Sequence, residues 1–84
     1  MSIKNNQGAS RYELDTDGHL SIADYQLQDG NLVITHVEVP DALRGQGIAA
    51  KLMEGIVMDA NVRQLKIVPV CSYAASYMQR PPKQ

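Results

Sequence analysis

Alternating and helical patterns of apolar positions divide most of the chain into strands, one long helix and a short terminal helix. Arg11-Tyr12-Glu13-Leu14 alternates like a half-buried strand, and Asp15-Thr16-Asp17-Gly18 closes it with an Asp-Gly ending that favours a tight hairpin. In His19 to Gln28, Leu20 and Ile22 share one parity while Ala23, Tyr25 and Leu27 share the other. The phase slips near Ala23-Asp24, which predicts a bulge. Beyond the Asp29-Gly30-Asn31 turn, Leu32 to Val39 is the most strand-like stretch of the chain. On strict alternation Val33, Thr35, Val37 and Val39 face one way, and Leu32, Ile34, His36 and Glu38 the other.

From Gly47 to Ala60, Ile48, Leu52, Ile56 and Ala60 recur every fourth residue, with Ala49, Met53 and Val57 beside them. This predicts an amphipathic helix with Lys51, Glu54 and Asp59 on its wet side and a stop at Asn61. Leu65 to Val70 reads as a further strand, in which Pro69, lacking an N–H, must sit at an edge or where pairing ends. Cys71 to Arg80 places Tyr73, Ala74, Tyr77 and Met78 at helical spacing and stops before Pro81-Pro82. Met1 to Ser10 has no such pattern and reads as a polar leader, frayed at its start.

Composition narrows the classes open to the chain. Its 84 residues make a single domain, 1–84, and a hydrophobic fraction of 44% suits a folded globule. A formal net charge of -1, without Trp or Phe to stack on bases, gives no reason to expect nucleic acid. One cysteine makes no internal disulfide, no apolar run reaches membrane-spanning length and the N-terminus has no apolar signal core. A cytoplasmic protein without membrane contact is the expectation. Neither histidine is spaced for a metal site, so none is expected.

The chemistry concentrates in Val37-Glu38-Val39-Pro40-Asp41-Ala42-Leu43-Arg44-Gly45-Gln46-Gly47-Ile48-Ala49-Ala50, a strand, a glycine loop and a helix start. Such a loop turns free N–H groups toward a ligand at the positive end of the helix dipole, and Gly45, Gly47 and Ala49 admit it to the main chain. An anion suits it, a phosphate or pyrophosphate above all. There is no Gly-Lys-Ser/Thr of a nucleotide-hydrolysing loop, and Gly45-Gln46-Gly47 does not extend to the dinucleotide pattern.

Arg44-x-x-Gly47-x-Ala49 resembles the Arg/Gln-x-x-Gly-x-Gly/Ala signature of the GNAT superfamily of N-acetyltransferases. With Thr35 to Val39 before it and Ile67-Val68-Pro69-Val70-Cys71-Ser72-Tyr73 after it, the chain from Gly30 to Tyr77 is similar to very small GNAT-like proteins carrying a cysteine after the last long strand. The resemblance implies an α/β fold of α+β type: an antiparallel three-strand meander, then a helix, a parallel strand and a short C-terminal helix. It implies acetyl-coenzyme A as co-substrate, its pyrophosphate on the loop and its pantetheine arm where two parallel strands splay apart. Val37, Val39, Arg44, Gly45, Gln46, Gly47, Ile48 and Ala49 are then the cofactor-binding candidates. The other partner is an amine acceptor of unknown identity, with an amine on another protein among the candidates.

An amine of pKa about 10.4 is almost wholly protonated at neutral pH, so transfer needs a base, and His36 and Glu38 are the candidates. Strand backbone near Val37 to Val39 can offer an oxyanion donor if a bulge frees it. The superfamily's Asn-x-x-Ala-x-x-Leu/Phe-Tyr appears here as Cys71-x-x-Ala74-x-x-Tyr77-Met78, so Tyr77 or Tyr73 would stand in for its general acid. Cys71 is open to three readings: acetyl-accepting nucleophile, polar contact to the cofactor arm, or small buried residue. Two other functions stay open, a non-catalytic acyl-coenzyme A module and an interaction domain using an exposed sheet edge.

Overall fold

A computed structural model describes residues 3–78. In chain order the elements are β1 (Ile3–Asn6), β2 (Arg11–Thr16), β3 (His19–Gln28), β4 (Asn31–Glu38), α1 (Ile48–Val62), β5 (Lys66–Pro69) and α2 (Ser72–Met78). They form one sheet in the order β1-β2-β3-β4-β5, antiparallel throughout except for the parallel pair β4–β5. This is the α+β architecture expected of a minimal GNAT-like fold. The expected stop at Pro81-Pro82, like the first two residues of the leader, lies outside the described residues.

The leader is a correction. Ile3–Asn6 is a strand, pairing Ile3 with Leu14 and Asn6 with Arg11, so the meander has one more strand than the pattern suggested. Apolar periodicity misses it because its asparagines work as partners: Asn5 Oδ1 accepts the Tyr25 hydroxyl at 2.7 Å, and the Asn6 amide donates to Glu13 at 3.1 Å. Ile3 seats on α1 where Gly55 has no side chain. A Cβ there would lie 2.9 Å from Ile3 Cγ2.

The bulge is real, but its extra residue is on β4. Asp24 pairs with His36 and Tyr25 with Ile34, which leaves Thr35 without an opposite number. Strict alternation along β4 therefore fails at Thr35. Leu32 and Ile34 are buried together with half-buried Val37 and Val39 against the core, while His36 and Glu38 are exposed. Helix α1 also runs past Asn61 to Val62, with Arg63 as cap, Gln64 taking the left-handed conformation at φ 59°, and Arg63 lying 3.8 Å from Asp59.

The core lies between the sheet and α1. Tyr12, Leu14, Ala23, Tyr25, Leu32 and Ile34 meet Leu52, Met53, Ile56 and Ala60, and Ala74 of α2 is buried in the same cluster. The rings of Tyr12 and Tyr25 stand 5.0 Å apart, and the Tyr12 hydroxyl donates to Asp59 at 2.6 Å. Ser21 is buried, and its hydroxyl finds no partner among the described residues.

Pro69 sits where its chemistry allows. Lys66 N–H donates to Gly30 and, just past β5, Val70 N–H donates to Ile34, so the even-numbered residues along this edge turn their nitrogens toward β4. The nitrogen of Pro69 thus faces outward, where no ladder bond is missed and an added strand would find no donor.

Candidate functional site

After β4 the chain turns through Pro40 and a single 3-10 turn, Asp41–Leu43, before Arg44 resumes an extended conformation at φ -61° and ψ 142°. Gly45 at φ 80° and Gly47 at φ 72° then bring the chain round to the start of α1. Side chains rarely adopt that region, which is why glycines stand at both places. Arg44 and Gln46 use their own N–H groups on Asp41 and Leu43, and the first bond of the helix runs from Lys51 to Gly47. Among the described residues, the N–H groups of Gly45, Gly47, Ile48, Ala49 and Ala50 find no hydrogen-bond partner. They crowd the positive end of the α1 dipole.

These donors border an open depression of about 540 Å³ between the loop, the first turn of α1, Val39 and Tyr73. The Arg44 side chain stands at its edge, mostly exposed, with Nε 3.0 Å from Asp41. Gln46 braces the loop through its side-chain amide, which donates to the Ala42 carbonyl at 3.4 Å. A smaller depression of about 280 Å³ lies elsewhere, between Ile3, Leu14 and the middle of α1. Its helix wall is interior, with N–H groups already spent in the helix.

Beside the loop, β4 loses its outer neighbour. The last pair of the parallel ladder is Ile34 with Pro69, after which the N–H groups of Val70 and Cys71 both converge on the Ile34 carbonyl at 3.0 Å. From Thr35 to Glu38 no described strand flanks β4 on that side. The bulge at Thr35 falls at the point of parting.

Of the residues expected to carry chemistry, His36 and Glu38 lie together, Nε2 to Oε1 at 3.2 Å, with side chains 55% and 69% exposed. Cys71, Tyr73 and Tyr77 are half-buried against the core, away from the sheet face that bears that pair. Tyr73, rather than Tyr77, borders the depression at the loop. The half-matched motif pointed to Tyr77 first. The signal for Tyr73 is its place just after the strand end, one turn ahead of Tyr77.

Among the described residues no group of three or more His, Cys, Asp and Glu is placed to hold a metal ion, and no helix is long and apolar enough to cross a membrane. Compared with known families, residues 11–84 match the model of a family described as GCN5-related N-acetyl-transferase. No curated protein matches the chain.

Proposed function

The chain belongs to the GCN5-related N-acetyltransferases, and from that premise we propose that it transfers the acetyl group of acetyl-coenzyme A to a primary amine at the end of β4. The observation that carries this reading is the set of N–H groups of Gly45 and of Gly47 to Ala50, without partners among the described residues, beside the gap where β4 and β5 part. The pyrophosphate would take those donors, with Arg44 swinging from Asp41 to add its charge. The pantetheine arm would then follow the free edge of β4 past Val39 and Val37.

The reaction follows from those positions. A neutral amine attacks the thioester carbonyl, forming the C–N bond, and its surplus proton passes to His36 or Glu38 directly or through water. The oxyanion takes a main-chain N–H of β4, where the bulge at Thr35 disturbs regular pairing. The C–S bond then breaks with its electron pair on sulfur. A thiolate of pKa about 8.5 needs little help to be protonated, and Tyr73, at the border of the depression, or Tyr77 would supply it. Cys71 serves in this direct route as a contact for the arm.

A second reading has one observation in its favour: His36 and Glu38 stand in solvent, as a surface pair would, which suits an acyl-coenzyme A module without turnover. A docking role for the β5 edge has less support, because Pro69 turns a nitrogen without hydrogen outward. Thiol release from acetyl-coenzyme A, followed with a panel of primary amines, tests the proposal. Amine-dependent release supports transfer, whereas tight binding with no release supports the silent module.

A further inference from the structure

Between Pro40 and Ala50 the chain carries two charged residues, Asp41 and Arg44, and each is engaged with the other. The Arg44 Nε lies 3.0 Å from the Asp41 carboxylate, and the Arg44 N–H donates to the Asp41 carbonyl at 3.1 Å. Neither side chain has a further ion-pair partner among the described residues. Among those residues Arg44 is the one cation on the wall of the depression at the loop, and the carboxylate that neutralises it is not part of that wall.

The two partners are not equally free to move. Asp41 opens the 3-10 turn Asp41–Leu43, which is pinned by the Leu43 N–H on the Pro40 carbonyl at 2.9 Å and by the Leu43 side chain, buried in the core. A short side chain on a pinned turn cannot follow a ligand into the depression. The long arginine can, because its side chain stands in solvent. A bidentate grip on a phosphate that includes Nε takes that donor away from Asp41.

Resting on the transfer reading above, we propose that Asp41 is a positioning residue that competes with the pyrophosphate of the cofactor for Arg44. With the two side chains 80% and 89% exposed, the competition is mild, so it trims affinity without closing the site. Its consequence falls on both ends of the reaction. Acetyl-coenzyme A and the product coenzyme A carry the same pyrophosphate, so the return of Arg44 to Asp41 loosens the product as well and shortens its stay.

The test is a calorimetric titration of coenzyme A into the full chain, Asp41→Asn, Arg44→Gln and the double variant, at an ionic strength that screens long-range repulsion by Asp41. Asp41→Asn is expected to bind about two- to fivefold more tightly, the range set by an exposed ion pair. Arg44→Gln is expected to bind more weakly, and in that background Asp41→Asn should add almost nothing. Asp41→Glu, which keeps a carboxylate within reach of Arg44, should restore the native affinity. Unchanged or weaker binding by Asp41→Asn, an equal gain in the Arg44→Gln background, or tighter binding by Asp41→Glu would overturn the assignment. Inorganic pyrophosphate, followed through the amide shifts of Gly45 and Gly47, repeats the cycle without coenzyme A. If coenzyme A fails to bind, the transfer reading falls and the pyrophosphate series decides on Asp41, where no tightening in Asp41→Asn overturns its role.

Discussion

The Cys71 N–H, two residues past Pro69, donates at 3.0 Å to the carbonyl of Ile34, which closes the parallel ladder with Pro69 and stands one residue before the bulge at Thr35. That bond ties the cysteine's backbone to the point where β4 and β5 separate, next to the proposed path of the cofactor arm. Proximity alone does not make it a nucleophile. Direct transfer predicts that Cys71→Ala keeps much of the rate while His36→Ala or Glu38→Ala loses roughly one hundredfold, the usual worth of a general base. A covalent route predicts the opposite order, with an acetylated protein visible by intact mass after mixing with acetyl-coenzyme A.

At Gly47 two effects of substitution can be separated. A Cβ there meets nothing within 4 Å, yet φ is 72°, a region that a β-branched residue enters only with strain. Gly47→Val is therefore expected to lower the melting temperature and to weaken coenzyme A binding at least tenfold, about 1.4 kcal/mol. Gly47→Asn tolerates the left-handed backbone, so its expected signature is weaker binding with little loss of stability. Calorimetric titration beside thermal melts distinguishes the two.

Gly55 shows why a helix interior keeps a poor helix former. Alanine would gain about 1 kcal/mol of helix propensity, but its Cβ would stand 2.9 Å from Ile3 Cγ2. Overpacking of this kind costs about 1–3 kcal/mol, so Gly55→Ala is expected to destabilise the protein in urea. In an Ile3→Ala background the same substitution is expected to stabilise it. That reversal of sign in a double-mutant cycle would establish β1 as a seated strand in solution.

Burial first, and then the hydrogen bond to Asp59, raise the Tyr12 pKa well above that of a free phenol. The native state holds this proton where the unfolded chain, with an ordinary pKa of about 10, has lost it. Stability from this group is thus complete below about pH 10 and declines as pH rises beyond it. Ultraviolet titration should find one tyrosine that ionises only with unfolding. Tyr12→Phe should remove that laggard and flatten the alkaline decline.

The path from β2 to α1 was legible because each signal had a local cause: Asp-Gly turns, alternation, and glycines where φ must be positive. Pro69 was legible for the same reason, since a missing donor restricts its place in any sheet. β1 was not, because what holds it is the amides of Asn5 and Asn6 and a gap at Gly55, none of which has a period. The phase slip in β3 announced a bulge without saying which strand would carry the spare residue. Thr35 carries it, and this regrouped Val37 and Val39 with Leu32 and Ile34. In the site, the loop could be read from Arg44 to Ala49, whereas the half-matched motif left both Tyr77 and Tyr73 open, and it is the packing of α2 that brings Tyr73 to the depression.

The central claim is that the loop after β4 holds the pyrophosphate of coenzyme A, and a backbone amide NMR titration with coenzyme A tests it residue by residue. The largest shifts are predicted at Gly45, Gly47, Ile48 and Ala49, with a second set along Val37 to Val39. No shifts at millimolar coenzyme A, or shifts confined to Ile3, Leu14 and Gly55 around the smaller depression, would contradict the account.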